Sequence, residues 1–396
     1  MQSIDNVSTN TNTKINLMKF KFVRLRQMEA IIFLLIFFAV FGYLGHSMGV
    51  PNMLNTIMQT AYRLLIDTVL YLMAITVLSG ALGSLLVEFG VVRLLEIILK
   101  PFMKPIFNLP GVASLGAVLT FLSDNPAIIS LANNKNFSRY FKKYQLISLT
   151  NFGTAFGMGL VVMVFMAGRG FGVAALIGFF GAIFGSVIST RLMQCFIVKA
   201  YPNLKTEESV VGGDEDKISY KNKGSVFMRV LNSILDGGKS GVDLGLQIIP
   251  GVLIISTFVM MLTFGPSASG AYTGKAYEGV AILPLLADKV DYIFNFLFGF
   301  TNGELVAFPI TALGAVGAAL GLIPTFQAEG LIDGNAIAVF TAMGMCWSGF
   351  LSTHTAMLDS LGFRNLTSKA LVSHTIGGLF AGIVAHWLYV LFTMIF

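Results

Sequence analysis

The chain is 396 residues long, 55% hydrophobic and only 12% charged, with a mean hydropathy of +0.78. That composition excludes a soluble globular domain and places the chain in a lipid bilayer. The formal charge of +6 comes from basic residues at the ends of apolar runs, which is a loop bias and not a nucleic-acid footprint, so no nucleic-acid partner is expected.

Residues 1–18 are polar and read as a disordered tail. Lys19, Lys21, Arg24 and Arg26 precede an apolar run at 30–45. No small-x-small cleavage pattern follows it, so it reads as an uncleaved first helix with its basic end inside. After a short segment at 52–64, a second span covers about 66–86. Residues 91–107 set Arg93, Lys100 and Lys104 among apolar residues and read as an interfacial helix. Residues 111–134 are apolar apart from Ser123-Asp124-Asn125-Pro126 in the middle. A single crossing there would put Lys135, Arg139, Lys142 and Lys143 outside, against the positive-inside bias. A re-entrant hairpin with its tip at 124–126 keeps them inside and is the preferred reading.

Residues 144–167 and 171–190 form two further spans. Residues 199–242 are the one long polar stretch and read as a cytoplasmic linker, with an amphipathic helix at 225–240. The pattern then repeats: a span at 244–264, an interfacial segment at 280–296, an interrupted apolar run at 297–323, and spans at 335–358 and 370–396. The interruption is Thr301-Asn302-Gly303-Glu304, in which Glu304 is the only charge between 296 and 323. This reads as a second re-entrant hairpin, entering from outside with its tip at the break. The expected organisation is therefore a tail and first helix (1–65), a first repeat (66–198), a linker (199–243) and a second, inverted repeat (244–396). The fold class is an all-α polytopic membrane protein with about seven spanning helices and two re-entrant hairpins. Such inverted repeats mark alternating-access transporters.

A carboxylate at membrane depth costs roughly 2.5–3.5 kcal/mol on insertion scales, so Asp124 and Glu304 are functional candidates by default. Ser123, Asn125, Thr301 and Asn302 flank them, and together they could hydrogen-bond a polar organic solute. Trp347 could stack on a planar solute or simply fill space, and Ser348 adjoins it. Asn151, Thr154, Ser352 and Thr353 form an expected second tier that lines the site or holds an ion. His354 is read as a buried histidine satisfied by a neighbour, and His374 and His386 as packing residues. Cys195 and Cys346 both fall in apolar runs, so no disulfide framework or CxxC metal site is expected. No nucleophile–base set is visible, so the chain does not read as an enzyme.

The sequence resembles concentrative nucleoside transporters. Asn302-Gly303-Glu304-Leu305-Val306-Ala307-Phe308 is similar to their Asn-Glu-Phe-Val-Ala-Tyr motif, and Leu122-Ser123-Asp124-Asn125-Pro126 to their Gln-Thr-Glu-Ala-Pro hairpin. Gly241-Val242-Asp243-Leu244-Gly245-Leu246 is also similar. The departures are Leu122 for glutamine, Asp124 for glutamate, Gly303 for asparagine, and Leu305 and Phe308 for the aromatic pair. The Cys-Gly-Phe-Ala-Asn-Phe-Ser-Ser segment is only loosely matched at 343–348. The resemblance covers most of 66–396 and extends to the broader Gate-domain group, which includes ferrous-iron transporters and sporulation membrane proteins. It implies that Asp124 and Glu304 contact the solute. It also implies coupling to Na⁺ or H⁺ and a homo-oligomer, a trimer in those transporters, in a bacterial inner (plasma) membrane with the N-terminus cytoplasmic. The function expected is secondary active symport of a small polar, nucleoside-like solute, with no cofactor. The alternatives are a divalent-metal permease and a non-transporting Gate-domain protein.

Overall fold

The computed structural model describes residues 26–207, 225–267 and 269–396. The polar tail, its basic cluster at 19–24 and linker residues 208–224 lie outside the described residues. In chain order the helices are α1 (Arg26–Met48), α2 (Val50–Glu88), α3 (Val91–Phe102), α4 (Ala113–Leu122), α5 (Pro126–Asn133), α6 (Lys143–Gly168) and α7 (Gly172–Ala200). They continue as α8 (Val226–Thr263), α9 (Ile282–Phe298), α10 (Gly303–Gly314), α11 (Val316–Ala328), α12 (Gly334–Ser360) and α13 (Arg364–Ile395). No strand occurs among the described residues. Seven of these helices (α1, α2, α6, α7, α8, α12 and α13) are long and apolar enough to cross a membrane, the number expected.

The two halves follow one plan. Each has a long span (α2, α8), a short amphipathic helix (α3, α9), a pair of short apolar helices (α4–α5, α10–α11), a broken span (α6, α12) and a final span (α7, α13). The halves also agree at single residues. Left-handed Asn108 (φ 54°) and Gly299 (φ 66°) end the stretches after α3 and in α9. Left-handed Met158 (φ 53°) and Gly349 (φ 64°) open the second halves of α6 and α12. The same order of elements in the two halves is the pattern of an internal repeat.

Two boundaries differ from expectation. Residues 52–64 are not a separate segment, because α2 continues through a widened π-helical turn at Leu64–Val69 into one helix of 39 residues. Likewise the amphipathic stretch at 225–240 is the first part of α8, which runs unbroken from Val226 through a second π-helical turn at Gly251–Ser256. The π turn absorbs an extra residue without ending the helix, so the polar-to-apolar shift near 244 marks a change of surroundings and not a boundary.

The helices pack as two groups. Broken spans α6 and α12 lie against α7 and α13, and α7 packs tightly on α13. Separately, α2 packs along α8. Glycine sets that second contact. A Cβ at Gly80, Gly237 or Gly241 would fall under 3.0 Å from backbone carbonyl oxygens of the facing helix. Thr76 Oγ1 donates to the Gly241 carbonyl at 2.7 Å. Small residues permit this backbone approach, and dispersion and the interhelical hydrogen bond reward it.

The loop between α8 and α9 is tied down by Glu278, which is 3% exposed. Thr273 Oγ1 donates to its Oε1 at 2.5 Å, and the N–H groups of Thr273 and Gly274 donate to Oε2 at 2.9 Å. Burial alone would push this carboxyl up, but those hydrogen bonds and the Lys275 N–H together outweigh it and hold the pKa below the ordinary value. A depressed folded-state pKa gives stability that is fully present above the unfolded value of about 4.5 and is lost as pH falls through the folded one.

Two outcomes follow from these contacts. Gly241→Val should lower the Tm of the detergent-purified protein, since overpacking costs about 1–3 kcal/mol. Glu278→Gln should lower the Tm at pH 7 and flatten the acid limb of the Tm–pH curve relative to the parent, as read by a thermal melt at each pH.

Candidate functional site

The first hairpin turns where the sequence predicts. α4 ends at Leu122, Ser123 takes a non-helical conformation (φ −121°, ψ −102°), and Pro126 opens α5. Proline suits a first helical turn because its missing N–H is not needed there. Ser123 Oγ donates to the Leu119 carbonyl at 2.6 Å and is exposed. Asn125, 2% exposed, enters the place where the two broken spans cross. A Cβ on Gly157, in the break of α6, or on Gly349, in the break of α12, would collide with its side chain. Asn125 Nδ2 lies 3.4 Å from Ser348 Oγ, while its Oδ1 has no partner. Asp124 Oδ1 is also fully buried and without a partner.

Beside this tip lies a cleft of about 350 Å³ bounded by α2, α8 and the hairpin. Ser123 and Asp124 form one wall, and Thr76, Asp236, Ser240 and Gln247 contribute from the two long helices. A mostly apolar hollow with a few converging polar groups is the usual form of a small-molecule site.

The second tier divides. Asn151 is completely buried, and its Nδ2 contacts Ser189 Oγ at 3.0 Å, the Ala370 carbonyl at 3.0 Å and Ser373 Oγ at 2.8 Å. It ties α6 to α7 and α13 and does not line the cleft. Thr154 donates to the Thr150 carbonyl at 2.6 Å and is likewise buried. Trp347 fills space against Gly378 and donates from Nε1 to the His374 carbonyl at 3.2 Å, so it is not placed to stack on a solute in the cleft. Ser348 and Thr353 are buried beside the α12 break, whereas Ser352 is exposed.

The histidines split the same way. His374 Nε2 donates to the Cys346 carbonyl, and Ser189 Oγ donates to Nδ1 at 2.7 Å. His374 therefore does more than pack, because it caps a carbonyl released by the break. His354 donates from Nδ1 to the Phe350 carbonyl at 2.5 Å. Its Nε2 is buried and unpartnered, so the expectation of a satisfied histidine holds for only one ring nitrogen.

The second hairpin corrects the sequence reading. The Thr301–Glu304 break is not its tip. It is the corner where α9 turns into α10 at 72°, after Gly299 caps α9 in the left-handed conformation. The chain folds back at Gly314 and extended Ala315 (φ −164°, ψ 123°). Phe308 and Val316 then face the same point on Gly344. Thr301 and Asn302 are exposed and Glu304 is half-buried. All three line a separate pocket of about 430 Å³ with Asp288 and Asp291, so Asp124 and Glu304 are not brought to one site. The polar run misleads because a helix corner and a hairpin tip both need glycine and turn-forming residues. The sequence reading does not single out Asp236 and Ser240, which sit in the segment read as linker, or Gln247, which sits in the apolar span after it. The signal available was their spacing along one helix face beside Gly237 and Gly241.

No family profile matches the sequence. A 46-residue segment is 46% identical to the sporulation integral membrane protein YlbJ of Bacillus subtilis, covering 12% of this chain and 11% of that protein. The whole fold is more informative. It is similar to CNTnw in an inward-facing, substrate-bound state, with a TM-score of 0.50 and 13% identity over 80% of this chain and 74% of that one. An outward-facing CNTnw variant gives a TM-score of 0.50 and 13% identity over 82% and 75% of the two chains. The protein is thus an integral membrane protein with the fold of concentrative nucleoside transporters.

Asn151→Leu should cost about 1–3 kcal/mol, because it strips partners from buried hydroxyl and carbonyl groups. Ser352→Ala should stay within about 0.5 kcal/mol as an exposed change. Thermal melts of the two variants in one detergent check the contrast.

Proposed function

We propose that this protein is a secondary active transporter that moves a small polar organic solute by alternating access. The observation that carries the reading is Asp124. Its Oδ1 is buried without a hydrogen-bond partner, and the residue, half-buried at the tip of a re-entrant hairpin, lines a small-molecule-sized cleft. A buried acceptor without a partner costs free energy that a bound ligand can recover. Asp124 and Ser123 hold the solute in this reading, with Asp236, Ser240 and Gln247 facing them.

Coupling to Na⁺ or H⁺ fits the same region. Asp124 Oδ1 and Asn125 Oδ1 are oxygens without partners, with Ser348 Oγ close to Asn125, and hard oxygen donors suit an alkali cation. Glu304, Thr301 and Asn302, at the corner of the second hairpin, form a separate polar pocket that the solute meets on its way in or out. A bacterial inner membrane, a cytoplasmic N-terminus and a homo-oligomer complete the proposal, supported by the positive-inside pattern and the fold likeness. The divalent-metal alternative gains no support from the donors present: no three His, Cys, Asp or Glu among the described residues are grouped to hold a metal ion.

The test is uptake into proteoliposomes carrying a Na⁺ or H⁺ gradient, screened over nucleosides, amino acids and amines. Asp124→Asn should reduce kcat/KM by about tenfold or more, as loss of a charged hydrogen bond implies. Glu304→Gln should stay within about threefold. A larger loss in Glu304→Gln than in Asp124→Asn would move the site to the second hairpin.

A further inference from the structure

We propose that the cleft at the first hairpin takes an organic cation, a solute bearing a primary amine, amidine or guanidine, in preference to a neutral or anionic one. This rests on the transporter reading of the same cleft.

The first observation is the sign of the walls. Two carboxylates line the cleft, Asp124 from the hairpin tip and Asp236 from α8. The other polar groups there are hydroxyls of Thr76, Ser79, Ser84, Ser123 and Ser240 and the amide of Gln247. No Lys, Arg or His is among the lining residues. On α8, Asp236, Lys239 and Asp243 are all exposed, and of the three only Asp236 lines the cleft. Arg229, two turns before Asp236, is engaged by Glu88 at 2.6 Å. No basic side chain of the lining is left to answer Asp124.

The second observation is independent of charge counting. Asp124 Oδ1 is fully buried and accepts no hydrogen bond. An isolated carboxylate in a low-dielectric setting must take up a proton or gain a positive partner. An ammonium or guanidinium in the cleft meets both needs, because it brings N–H donors and positive charge to the half-buried Asp124 carboxylate and balances the pair of carboxylates. A neutral isostere supplies the donor without the charge, and an anion meets like charge. The cleft of about 350 Å³ is at the small end of ligand sites, which favours a compact molecule.

Two isosteric charge series test this on the purified full-length chain. One is 5′-amino-5′-deoxyuridine, uridine and uridine 5′-monophosphate. The other is putrescine, 1,4-butanediol and succinate. Binding is read by thermal shift and transport by counterflow in proteoliposomes, each with and without Na⁺.

The amine member of at least one series should bind about tenfold or more tightly than its neutral partner, with the anion weakest. The preference should fall to within about twofold in Asp124→Asn and shrink in Asp236→Asn. Should Asp124→Asn fail to fold, Asp236→Asn with the same ratio carries the test. Uridine bound and moved as well as its amino analogue would overturn the charge inference and leave the transporter reading standing. An amine preference untouched by either substitution would overturn the assignment to this cleft. Stabilisation by Na⁺ alone, with no amine competing, would overturn the organic-cation class. Silence from both series with a well-folded protein would remove this inference and count against the transporter reading as well.

Discussion

The structure depends on how backbone freed at two helix breaks is satisfied away from water. In hydrocarbon an unpaired N–H or C=O costs several kcal/mol, so irregular backbone survives only where protein covers it. Here the cover comes from two directions. On one side Asn125 of the first hairpin fills the space between Gly157 and Gly349. On the other, α13 reaches in: His374 caps the Cys346 carbonyl, and its own carbonyl accepts from Trp347 Nε1. Ser189 and Asn151 continue that chain of hydrogen bonds into α7 and α6. Neither break could stand without these neighbours. The left-handed Met158 is the clearest sign of constraint, because a bulky residue adopts φ 53° only when its surroundings impose it.

Satisfying the breaks this way welds α6, α7, α12 and α13 into one body and leaves α2 and α8 as another. The contact between α2 and α8 is backbone against backbone across Gly80, Gly237 and Gly241. The first hairpin belongs to both bodies. Asn125 is buried in the breaks, while Leu122 rests against Gly83 of α2. Asp124, between them in sequence, faces the seam where the two bodies meet. A polar group at such a seam is exposed to whatever relative movement the bodies make, whereas Asn151, deep inside one body, is not. That difference separates a residue on the wall of a cleft from one that holds structure.

Much of this was legible in the sequence, and the parts that were not share a cause. The seven spans, the repeated order of elements and the first hairpin follow from hydrophobic length, from the Ser-Asp-Asn-Pro interruption and from basic loops, all of them local signals. The second hairpin failed because its tip, Gly314-Ala315, carries no polar residue, while Thr301-Asn302-Gly303-Glu304 does. Polarity marked a corner and small size marked the tip. From sequence alone Trp347 stays open between stacking and filling space, and Asn151 reads as site-lining, because a polar or aromatic residue near a break looks functional. What decides their role is the partner each finds on α13, more than 20 residues away in sequence and in Asn151's case over 200. Asp236 escapes the sequence reading for a related reason, because a polar stretch beside a linker gives no local sign that its helix runs on unbroken along α2 and past the first hairpin.

The two halves match in backbone but not in chemistry, and this asymmetry bears on where a ligand can be held. The first hairpin ends in two unpartnered side-chain oxygens on Asp124 and Asn125. The second ends in a glycine and an alanine set against Ile255 and Gly251 of α8. There Ser256 Oγ already satisfies the Ala318 carbonyl at 2.8 Å. One tip therefore has hydrogen-bonding capacity to offer a ligand, and the other has used what it has to pack. Of the two corresponding hairpin tips, polar chemistry is therefore concentrated at one, where side-chain oxygens lack partners, and absent from the other, where small residues let the backbone pack.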